Sequence, residues 1–216
     1  MNLITSFYLV DEINEQRKNR NIELVEALIK NINCSYIKKI HLFVDNEKAL
    51  NRIHHIPEHR EKLIIIAIKE QPLYSELFEY AIDNLPNQLC MISNSDIYLY
   101  ECDMDCLNRI GNNIFALTRY EYDLSSYFID SMVDCTHDAF IFKSPLTKNI
   151  LEKIKHVQNV WGSENSVITS LIENGNYKIY NPCYQIKIVH LHKSGYRNED
   201  RIRIAYSKYG HKPVYY

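Results

Sequence analysis

The stretch that decides the fold is Gln88–Tyr100, QLCMISNSDIYLY, in the middle of the chain. Gln88–Ser93 has the apolar character of a buried strand, and a second apolar run, Ile97–Leu99, begins soon after it. Asn94-Ser95-Asp96 therefore stands at the carboxyl end of the first strand. In open α/β sheets, ligands bind just beyond these strand ends, and a carboxylate placed there can hold a divalent metal. The alternative is an Asx-type turn in which Asp96 only caps a chain reversal.

Strand and helix patterns alternate on the N-terminal side of this stretch. The predicted strands are Leu3–Val10, Ile40–Val44 and Leu63–Ile68, and the predicted helices are Asn21–Ile32 and Pro72–Leu85. Because residues 63–68 are all apolar, we expect helices to cover that strand on both faces. Strand–helix–strand units with short connections predict an α/β fold with a mostly parallel central sheet flanked by helices.

The C-terminal half continues with shorter elements and a polar segment. The predicted strands are Ile114–Tyr120, Ala139–Phe142 and Tyr184–His192, and the predicted helices are Leu151–Val157 and Asn165–Glu173. Neither a linker nor an internal repeat separates the two halves. We therefore expect one domain over residues 1–216, with a nucleotide-binding half (1–100) and an acceptor-facing, catalytic half (101–216).

Composition narrows the class of protein. The 25 Lys and Arg residues nearly balance the 27 Asp and Glu residues, for a net charge of −2, which argues against a nucleic-acid-binding protein. The longest apolar run is too short for a membrane span, and the N-terminus lacks a signal-peptide pattern. We expect a cytoplasmic protein whose six cysteines are reduced.

Two further clusters carry groups that can do chemistry. Glu164 follows Gly162 and Ser163 at the start of a predicted helix, where its carboxylate could act as a general base or simply complement the helix dipole. His190 and His192 end a predicted strand on one face, an arrangement that suits a metal or a phosphate. The alternative is one core and one surface histidine. A basic tail follows: Lys193, Arg197, Arg201 and Arg203.

A literal Asp-x-Asp sequence occurs at Asp103-Met104-Asp105. It precedes the apolar run Leu107–Ile110, so it is typical of the solvated first turn of a short helix. No buried strand leads into it. We therefore favour Asp96 over this pair as the metal ligand.

Together these clusters resemble the nucleotide-sugar glycosyltransferases of the GT-A fold. Asn94-Ser95-Asp96 resembles the family's Asp-x-Asp motif, Trp161–Asn165 its glycine-containing loop and acidic motif, and His190 or His192 its C-terminal histidine. More narrowly, the chain is similar to the N-terminal rhamnosyltransferase domain of a chlorella-virus multidomain glycosyltransferase and to related giant-virus and bacterial proteins. The similar stretches are SFYL, NSDIYLY, ALTRYE, HDAFIFK, WGSEN and HLHKSGYR.

The resemblance implies an enzyme that transfers a hexose or deoxyhexose, such as L-rhamnose, from a UDP-linked sugar to a hydroxyl of a glycan or glycoprotein, with inversion. It implies Mn²⁺ or Mg²⁺ held by Asp96, His190 and His192, with Glu164 or Asp138 as the base. For a viral protein the compartment would be the host cytoplasm, and further domains of a larger enzyme are implied. Asn94 and Asn165 depart from the family pattern, because an acid is usual at both positions.

The resemblance also implies a set of contacts to the donor. The exit of the first strand would meet the nucleoside, Arg17 or Arg20 would reach a phosphate, and the end of the second strand would meet the ribose or base. Tyr74 would stack on the base or simply pack, and Arg119 would bind the sugar or pyrophosphate or form a structural ion pair. The full predicted donor set is Thr5, Phe7, Arg20, Asp45, Tyr74, Asn94, Ser95 and Arg119.

Two other functions stay open. A sugar nucleotidyltransferase also combines a parallel sheet with an acid-bound metal, but it would carry a glycine-rich loop after the first strand, and Val10–Asn14 has no glycine. A noncatalytic nucleotide- or sugar-binding module of a larger assembly is the second alternative. Hydrolysis of a donor by the isolated chain would separate that module from an enzyme.

Overall fold

The computed structural model describes residues 1–56, 60–122, 127–130, 136–160, 162–196 and 216. Its strands are β1 (Asn2–Phe7), β2 (Lys39–Val44), β3 (Leu63–Ala67), β4 (Leu89–Ser93), β5 (Ile97–Cys102), β6 (Ile114–Tyr122), β7 (Tyr127–Ile129), β8 (His137–Lys143), β9 (Ile179–Tyr180) and β10 (Ile186–His190). Its α-helices are α1 (Glu15–Asn33), α2 (Glu47–His54), α3 (Tyr74–Asn84), α4 (Met104–Asn108) and α5 (Ser163–Glu173), with 3₁₀ turns at Arg60–Lys62 and Lys148–Lys153.

The strands form one sheet with the order β3-β2-β1-β4-β8-β6-β10-β5, and β7 and β9 also pair with β6. The first four strands of that order are parallel. β8 runs antiparallel to both β4 and β6, and β10 joins β6 in parallel and β5 antiparallel. The predicted α/β fold, with a mostly parallel sheet flanked by helices, is confirmed, and the antiparallel pairs all involve the C-terminal strands or β5.

Alternate side chains along each strand lie on opposite faces of the sheet and form two hydrophobic layers. On β1, Leu3 points to the layer covered by α1 and α2, whereas Ile4 points to the layer covered by α3 and α5. Phe140 on β8 lies in the second layer, where it packs against Phe78 of α3 with a centroid distance of 6.1 Å. Both faces of the central strands are therefore buried, which leaves the strand ends as the place for polar groups.

Helix α1 is longer than the apolar pattern predicted. It begins at Glu15 rather than Asn21 because the Asn14 side chain accepts a hydrogen bond from the Arg17 backbone N–H at 2.9 Å and so caps the helix. Its first turn is exposed and polar, so it lacks the apolar periodicity from which the helix was predicted. The predicted helix at 151–157 is instead the 3₁₀ turn Lys148–Lys153, whose Ile150 still packs in the core.

The position of β3 corrects the expectation that helices cover it on both faces. β3 ends the sheet, and Ile64 and Ile65 are 38% and 40% exposed. An apolar, β-branched run favours a strand at any position in a sheet, so it does not distinguish a central strand from an edge strand.

Within the described part of the chain, no helix is both long and apolar enough to cross a membrane.

The opposite edge strand, β5, is closed by a side chain of α1. Asn31 is buried, donates from Nδ2 to the Ile97 carbonyl at 2.8 Å, and accepts from the Leu99 N–H at 3.0 Å. These two bonds satisfy backbone groups that an edge strand would otherwise leave unpaired. The amide of Asn31 therefore fixes β5, and with it the segment that precedes it, against α1.

We expect Asn31→Leu to lower the free energy of unfolding by about 1–3 kcal/mol, because it leaves a buried N–H and a buried carbonyl unpaired. The matched control is Asn33→Leu on the same helical turn, where the side chain is exposed and the change should stay within about 0.5 kcal/mol. Urea denaturation of both variants measures the difference. Equal losses in the two variants would contradict the proposed role of Asn31.

Candidate active site

Polar side chains gather where β1 and β4 end side by side. The two strands are parallel, so their carboxyl ends lie at the same edge of the sheet. Thr5 Oγ1 donates to the Ser93 carbonyl at 2.8 Å, and the hydroxyls of Ser6 and Ser95 lie 2.8 Å apart. These bonds fix the loop that carries Asp96 out of β4.

Asp96 is 6% exposed and lies against two cationic side chains. Its Oδ2 accepts from Arg20 Nη2 at 2.6 Å and lies 3.2 Å from His190 Nε2. The antiparallel register of β10 and β5 places His190 opposite Ile97, which explains why the histidine reaches the neighbouring aspartate. The His190 and His192 rings stack with centroids 5.2 Å apart.

The charges in this cluster shift each other's protonation. Burial alone would raise the pKa of the Asp96 carboxyl, but Arg20 and His190 hold it well below its usual range. Burial alone would lower the pKa of His190, but Asp96 and Glu121 raise it to about 9. Asp96 is therefore an anion and His190 a cation near neutral pH in this structure.

One side-chain atom from each of Asp96, His190 and His192 lies within 4.8 Å of the other two. A carboxylate and two imidazoles make a reasonable ligand set for a divalent transition metal, and such a set leaves coordination positions open for substrate oxygens. The structure thus brings the three predicted metal ligands together. Whether they bind a metal stays a prediction.

A second cluster is built around Asn94, one residue beyond β4. Asn94 Nδ2 donates to Asp138 Oδ1 at 2.8 Å and to Glu164 Oε1 at 3.1 Å. The Tyr74 hydroxyl lies 3.0 Å from Asn94 Oδ1 and 3.1 Å from Glu164 Oε1, and it can donate its single proton to either oxygen. Four different elements therefore contribute to it: β4, β8, α3 and α5.

The turn before α5 delivers Glu164 into this cluster. Gly162 has a φ of 87°, a left-handed backbone conformation that residues other than glycine rarely adopt. Burial and the nearby Asp138 carboxylate raise the pKa of Glu164 to about 7, even though the bonds from Asn94 and Tyr74 oppose the rise. A carboxyl group with such a pKa can both accept and release a proton at neutral pH.

Arg119 of β6 links the two clusters. Its guanidinium contacts Asp138 at 2.8 Å, Asp130 at 3.1 Å and Glu121 at 2.5 Å. Glu121 in turn lies 3.0 Å from His190 Nδ1. A continuous path of alternating charges therefore runs from Asp96 through His190, Glu121 and Arg119 to Asp138.

The other predicted donor-binding residues are spread more widely. Phe7 is 1% exposed and packs in the core rather than facing the strand exit. The Tyr74 ring is completely buried and packs perpendicular to Phe140 with centroids 5.9 Å apart, so it is not available for stacking on a base. Asp45 follows β2 and accepts from Asn46 Nδ2 at 2.7 Å. Thr5 is buried, and its hydroxyl is used in the hydrogen bond to the Ser93 carbonyl of β4.

A cleft of about 530 Å³ opens beside the ends of β1 and β2. It is lined by Leu9, Val10, Asp11, Arg17, Asn46, Lys48 and Tyr196. The Arg17 guanidinium lies 5.1 Å from the centroid of the Tyr196 ring. Two cations at the carboxyl edge of a parallel sheet suit an anionic ligand such as a phosphate.

Several of these polar residues escaped the sequence reasoning. Glu121 could have been found, because it is two residues from Arg119 on one strand and must share its face. Gln158, which donates to the Ser93 carbonyl at 2.6 Å and accepts from Ser6, carries no such signal. Four residues named in the sequence analysis lie outside the described part of the chain: Trp161, Arg197, Arg201 and Arg203.

The Asp-x-Asp at 103–105 has the predicted helical context. The Asp103 carboxylate accepts from the Asp105 and Cys106 backbone N–H groups at 2.9 and 3.1 Å and caps α4. Asp103 also accepts from Gln185 at 3.0 Å. Its carboxylate is thus engaged in local structure.

No protein-family model matches the chain. No curated protein matches it either. Many solved structures are similar to it, and three of them are given below. The mannosyltransferase PcManGT from Pyrobaculum calidifontis, in complex with GDP-Man and Mn²⁺, has a TM-score of 0.51 at 10% identity over 88% of this chain and 56% of that one. S. aureus TarS 1–349 scores 0.49 at 12% identity over 89% and 58%, and HddC from Yersinia pseudotuberculosis scores 0.41 at 12% identity over 73% and 81%.

At these identities the likeness concerns the fold alone. The chain shares the α/β fold of the Pyrobaculum mannosyltransferase, in agreement with the GT-A expectation. It spans little more than half of the length of that protein and of the TarS fragment. The narrower similarity to a chlorella-virus rhamnosyltransferase domain stays a prediction.

We expect Arg119→Met to destabilise the protein by about 3 kcal/mol, because three carboxylates lose their shared cation. That figure is at the low end for a buried ion pair, since the Arg119 side chain is still 23% exposed. The control is Lys148→Met, which breaks an exposed pair with Asp83 and should cost no more than about 1 kcal/mol. Chemical denaturation at pH 7 compares them, and similar losses would contradict the role given to Arg119.

The Arg119→Met variant should also change how the free energy of unfolding depends on pH below pH 4.5. Burial would raise the pKa of Glu121, but His190 and Arg119 lower it from 4.5 to about 2. Because its pKa is lower in the folded state, Glu121 adds to the free energy of unfolding. This contribution is complete above pH 4.5 and is lost as the pH falls toward 2. Arg119→Met should therefore lose less stability than the unmodified protein between pH 4.5 and 2.

Proposed function

We propose that the protein is a glycosyltransferase that moves a hexose or deoxyhexose from a nucleoside-diphosphate sugar to an acceptor hydroxyl. The observation that carries this proposal is the presence of two linked carboxylate sites with opposite surroundings at one sheet edge. Asp96 lies among cations, whereas Glu164 accepts hydrogen bonds from the neutral donors Tyr74 and Asn94. Glycosyl transfer needs these two environments, one for a leaving diphosphate and one for a base.

The Asp96 side is the proposed diphosphate site. Asp96, His190 and His192 would hold a divalent metal, and His190 would release its proton on binding, because only the neutral imidazole ligates a metal. Two imidazole ligands favour Mn²⁺ over Mg²⁺, which prefers oxygen ligands. When bound, the metal supplies positive charge that stabilises the departing diphosphate. The mannosyltransferase with the similar fold was solved with GDP-Man and Mn²⁺, which supports the choice.

The cleft beside β1 and β2 is the proposed nucleoside site. Arg17 and Lys48 line it, and Asp45 and Asn46 lie at the end of β2. These groups offer both charge for phosphate and hydrogen-bonding partners for a ribose or base. A UDP-linked donor and L-rhamnose as the sugar rest on the sequence resemblance alone.

Glu164 is the better of the two candidate bases. The Asp138 carboxylate is ion-paired with Arg119 at 2.8 Å, so it is already engaged by a cation. Among the described residues, the side chains that hydrogen-bond to Glu164 are the neutral Tyr74 and Asn94, and the pKa of Glu164 is raised. We propose that Asp138 instead holds Asn94 and Arg119 in place beside the base.

The transfer step follows from this assignment. Glu164 accepts the proton of the acceptor hydroxyl as that oxygen attacks the anomeric carbon, and the bond from this carbon to the diphosphate oxygen breaks. The negative charge that leaves with the diphosphate moves toward Arg20 and the Asp96 site. Attack and departure on opposite sides of the sugar give inversion of the anomeric centre.

The remaining parts of the proposal concern context. We propose a single domain over residues 1–216, with the donor bound mainly by 1–100 and the acceptor by 101–216. The acceptor would be a glycan or glycoprotein hydroxyl, and the compartment the cytoplasm. Further domains would belong to a longer enzyme.

A panel of UDP-, GDP- and dTDP-sugars, each with and without Mn²⁺, tests the function. Thermal shift measures binding, because a ligand that binds only the folded state raises its melting temperature. Hydrolysis of a bound donor to nucleoside diphosphate supports the enzyme, and binding without hydrolysis favours the noncatalytic module. Release of pyrophosphate from a nucleoside triphosphate and a sugar phosphate would favour the nucleotidyltransferase.

We expect Glu164→Gln to lower turnover by roughly 10²- to 10⁴-fold, since the amide keeps size and hydrogen bonding but cannot accept the proton. Donor affinity should barely change. Turnover of the unmodified enzyme should rise as the pH increases through about 7, where Glu164 loses its proton. Steady-state kinetics and donor titration measure both quantities.

The control is Glu173→Gln, an exposed position at the end of the same helix. It should leave turnover unchanged. If Glu164→Gln instead abolishes donor binding, Glu164 belongs to the donor site. If Glu164→Gln is active and Asp138→Asn is inactive, with both folded by circular dichroism, the base is Asp138.

A further inference from the structure

The Arg20 guanidinium stands among the candidate metal ligands. Its Nη2 lies 2.6 Å from Asp96 Oδ2, and its Nη1 lies 3.1 Å from His192 Nδ1 and 3.2 Å from the Leu191 carbonyl. The side chain is only 6% exposed. Arg20 is thus a built part of the site and bridges two of the three residues that could hold a metal.

The guanidinium occupies one acceptor atom on each of two candidate metal ligands, His192 Nδ1 and Asp96 Oδ2. Arginine is a pure donor, so the His192 Nδ1 atom that faces it must act as the acceptor. Asp96 Oδ2 also faces the guanidinium, and His190 Nε2 lies 3.2 Å from that same oxygen. A divalent ion placed between these ligands would meet a fixed positive charge at hydrogen-bond distance from two of them. The two cations would repel each other.

Arg20 has other partners that it can keep when it leaves Asp96. Glu23, one helical turn along α1, lies 3.6 Å from Nη1, and the Tyr8 hydroxyl lies 3.4 Å from Nη2. Glu23 is itself held by the Ser194 hydroxyl at 2.7 Å. A guanidinium released from Asp96 would therefore still have an anionic partner, Glu23, and the Tyr8 hydroxyl within reach.

We propose that Arg20 is the resident cation of the Asp96–His192 site and that a divalent metal binds only by displacing it. Metal alone then binds weakly, because it must break a buried ion pair. If the proposed function holds, a nucleoside diphosphate gives the released guanidinium a new anionic partner, so metal and diphosphate bind cooperatively. Arginine suits this exchange, since its planar fork pairs with either a carboxylate or a phosphate.

Calorimetric titration with Mn²⁺ alone tests the competition. Arg20→Met, which removes the charge but keeps an unbranched side chain, should bind Mn²⁺ at least about tenfold more tightly than the unmodified protein. Lys18→Met removes the same charge from an exposed position on the same helix and should leave Mn²⁺ affinity within about twofold. Asp96→Asn combined with Arg20→Met should abolish the gain.

If the Arg20→Met variant folds but binds Mn²⁺ no more tightly than the unmodified protein does, the proposal is wrong. If Arg20→Met does not fold, Arg20→Gln, which retains hydrogen-bond donors without the charge, takes its place with the same expected gain. Addition of UDP or GDP should raise Mn²⁺ affinity in the unmodified protein more than in the Arg20 variant. A gain in Mn²⁺ affinity with no effect of either nucleotide supports the competition and counts against the proposed function.

Discussion

The ion pair between Arg20 and Asp96 is the contact on which the rest of the site depends. Asp96 leaves a buried strand and cannot remain ionised in that position without a cation beside it. The structure supplies Arg20 from α1 and His190 from β10, so one carboxylate ties three distant segments together. The same principle repeats at Arg119, which compensates Glu121, Asp130 and Asp138.

This alternation of charges divides the sheet edge into two chemically different parts. Around Asp96, Arg20 and His190 keep the carboxylate ionised. Around Glu164 the bonded partners are neutral, and the neighbouring Asp138 carboxylate favours the protonated form. Opposite protonation behaviour in adjacent carboxylates is the usual sign of different catalytic roles. Here it separates the proposed diphosphate site from the proposed base.

The sequence was informative where chemistry follows from local geometry. Period-two alternation predicted that His190 and His192 share a face, and the strand end predicted the placement of Asp96. Only the resemblance to GT-A glycosyltransferases implied that the three residues act together. The strand and helix patterns predicted the α/β class. The exposed position of β3 was missed, because an apolar run specifies a strand but not its neighbours. The early start of α1 was missed because its first turn is polar.

Long-range pairs were beyond sequence reasoning. Arg20 was expected to reach a phosphate, but its pairing with Asp96 joins residues 76 positions apart. The burial of Phe7 and the packing of Tyr74 against Phe140 depend on which face of each element meets the core. Such choices are made by tertiary packing and leave no mark in the local pattern.

The central claim is that the Asp96 edge of the sheet binds a metal and a nucleoside diphosphate. Anomalous diffraction at the manganese edge, from crystals grown with Mn²⁺ and UDP or GDP, tests it most directly. The account predicts a manganese peak within coordination distance of Asp96, with the diphosphate beside it and the nucleoside in the cleft near Arg17. A peak at Asp103 and Asp105, or a nucleotide bound elsewhere on the molecule, would contradict it.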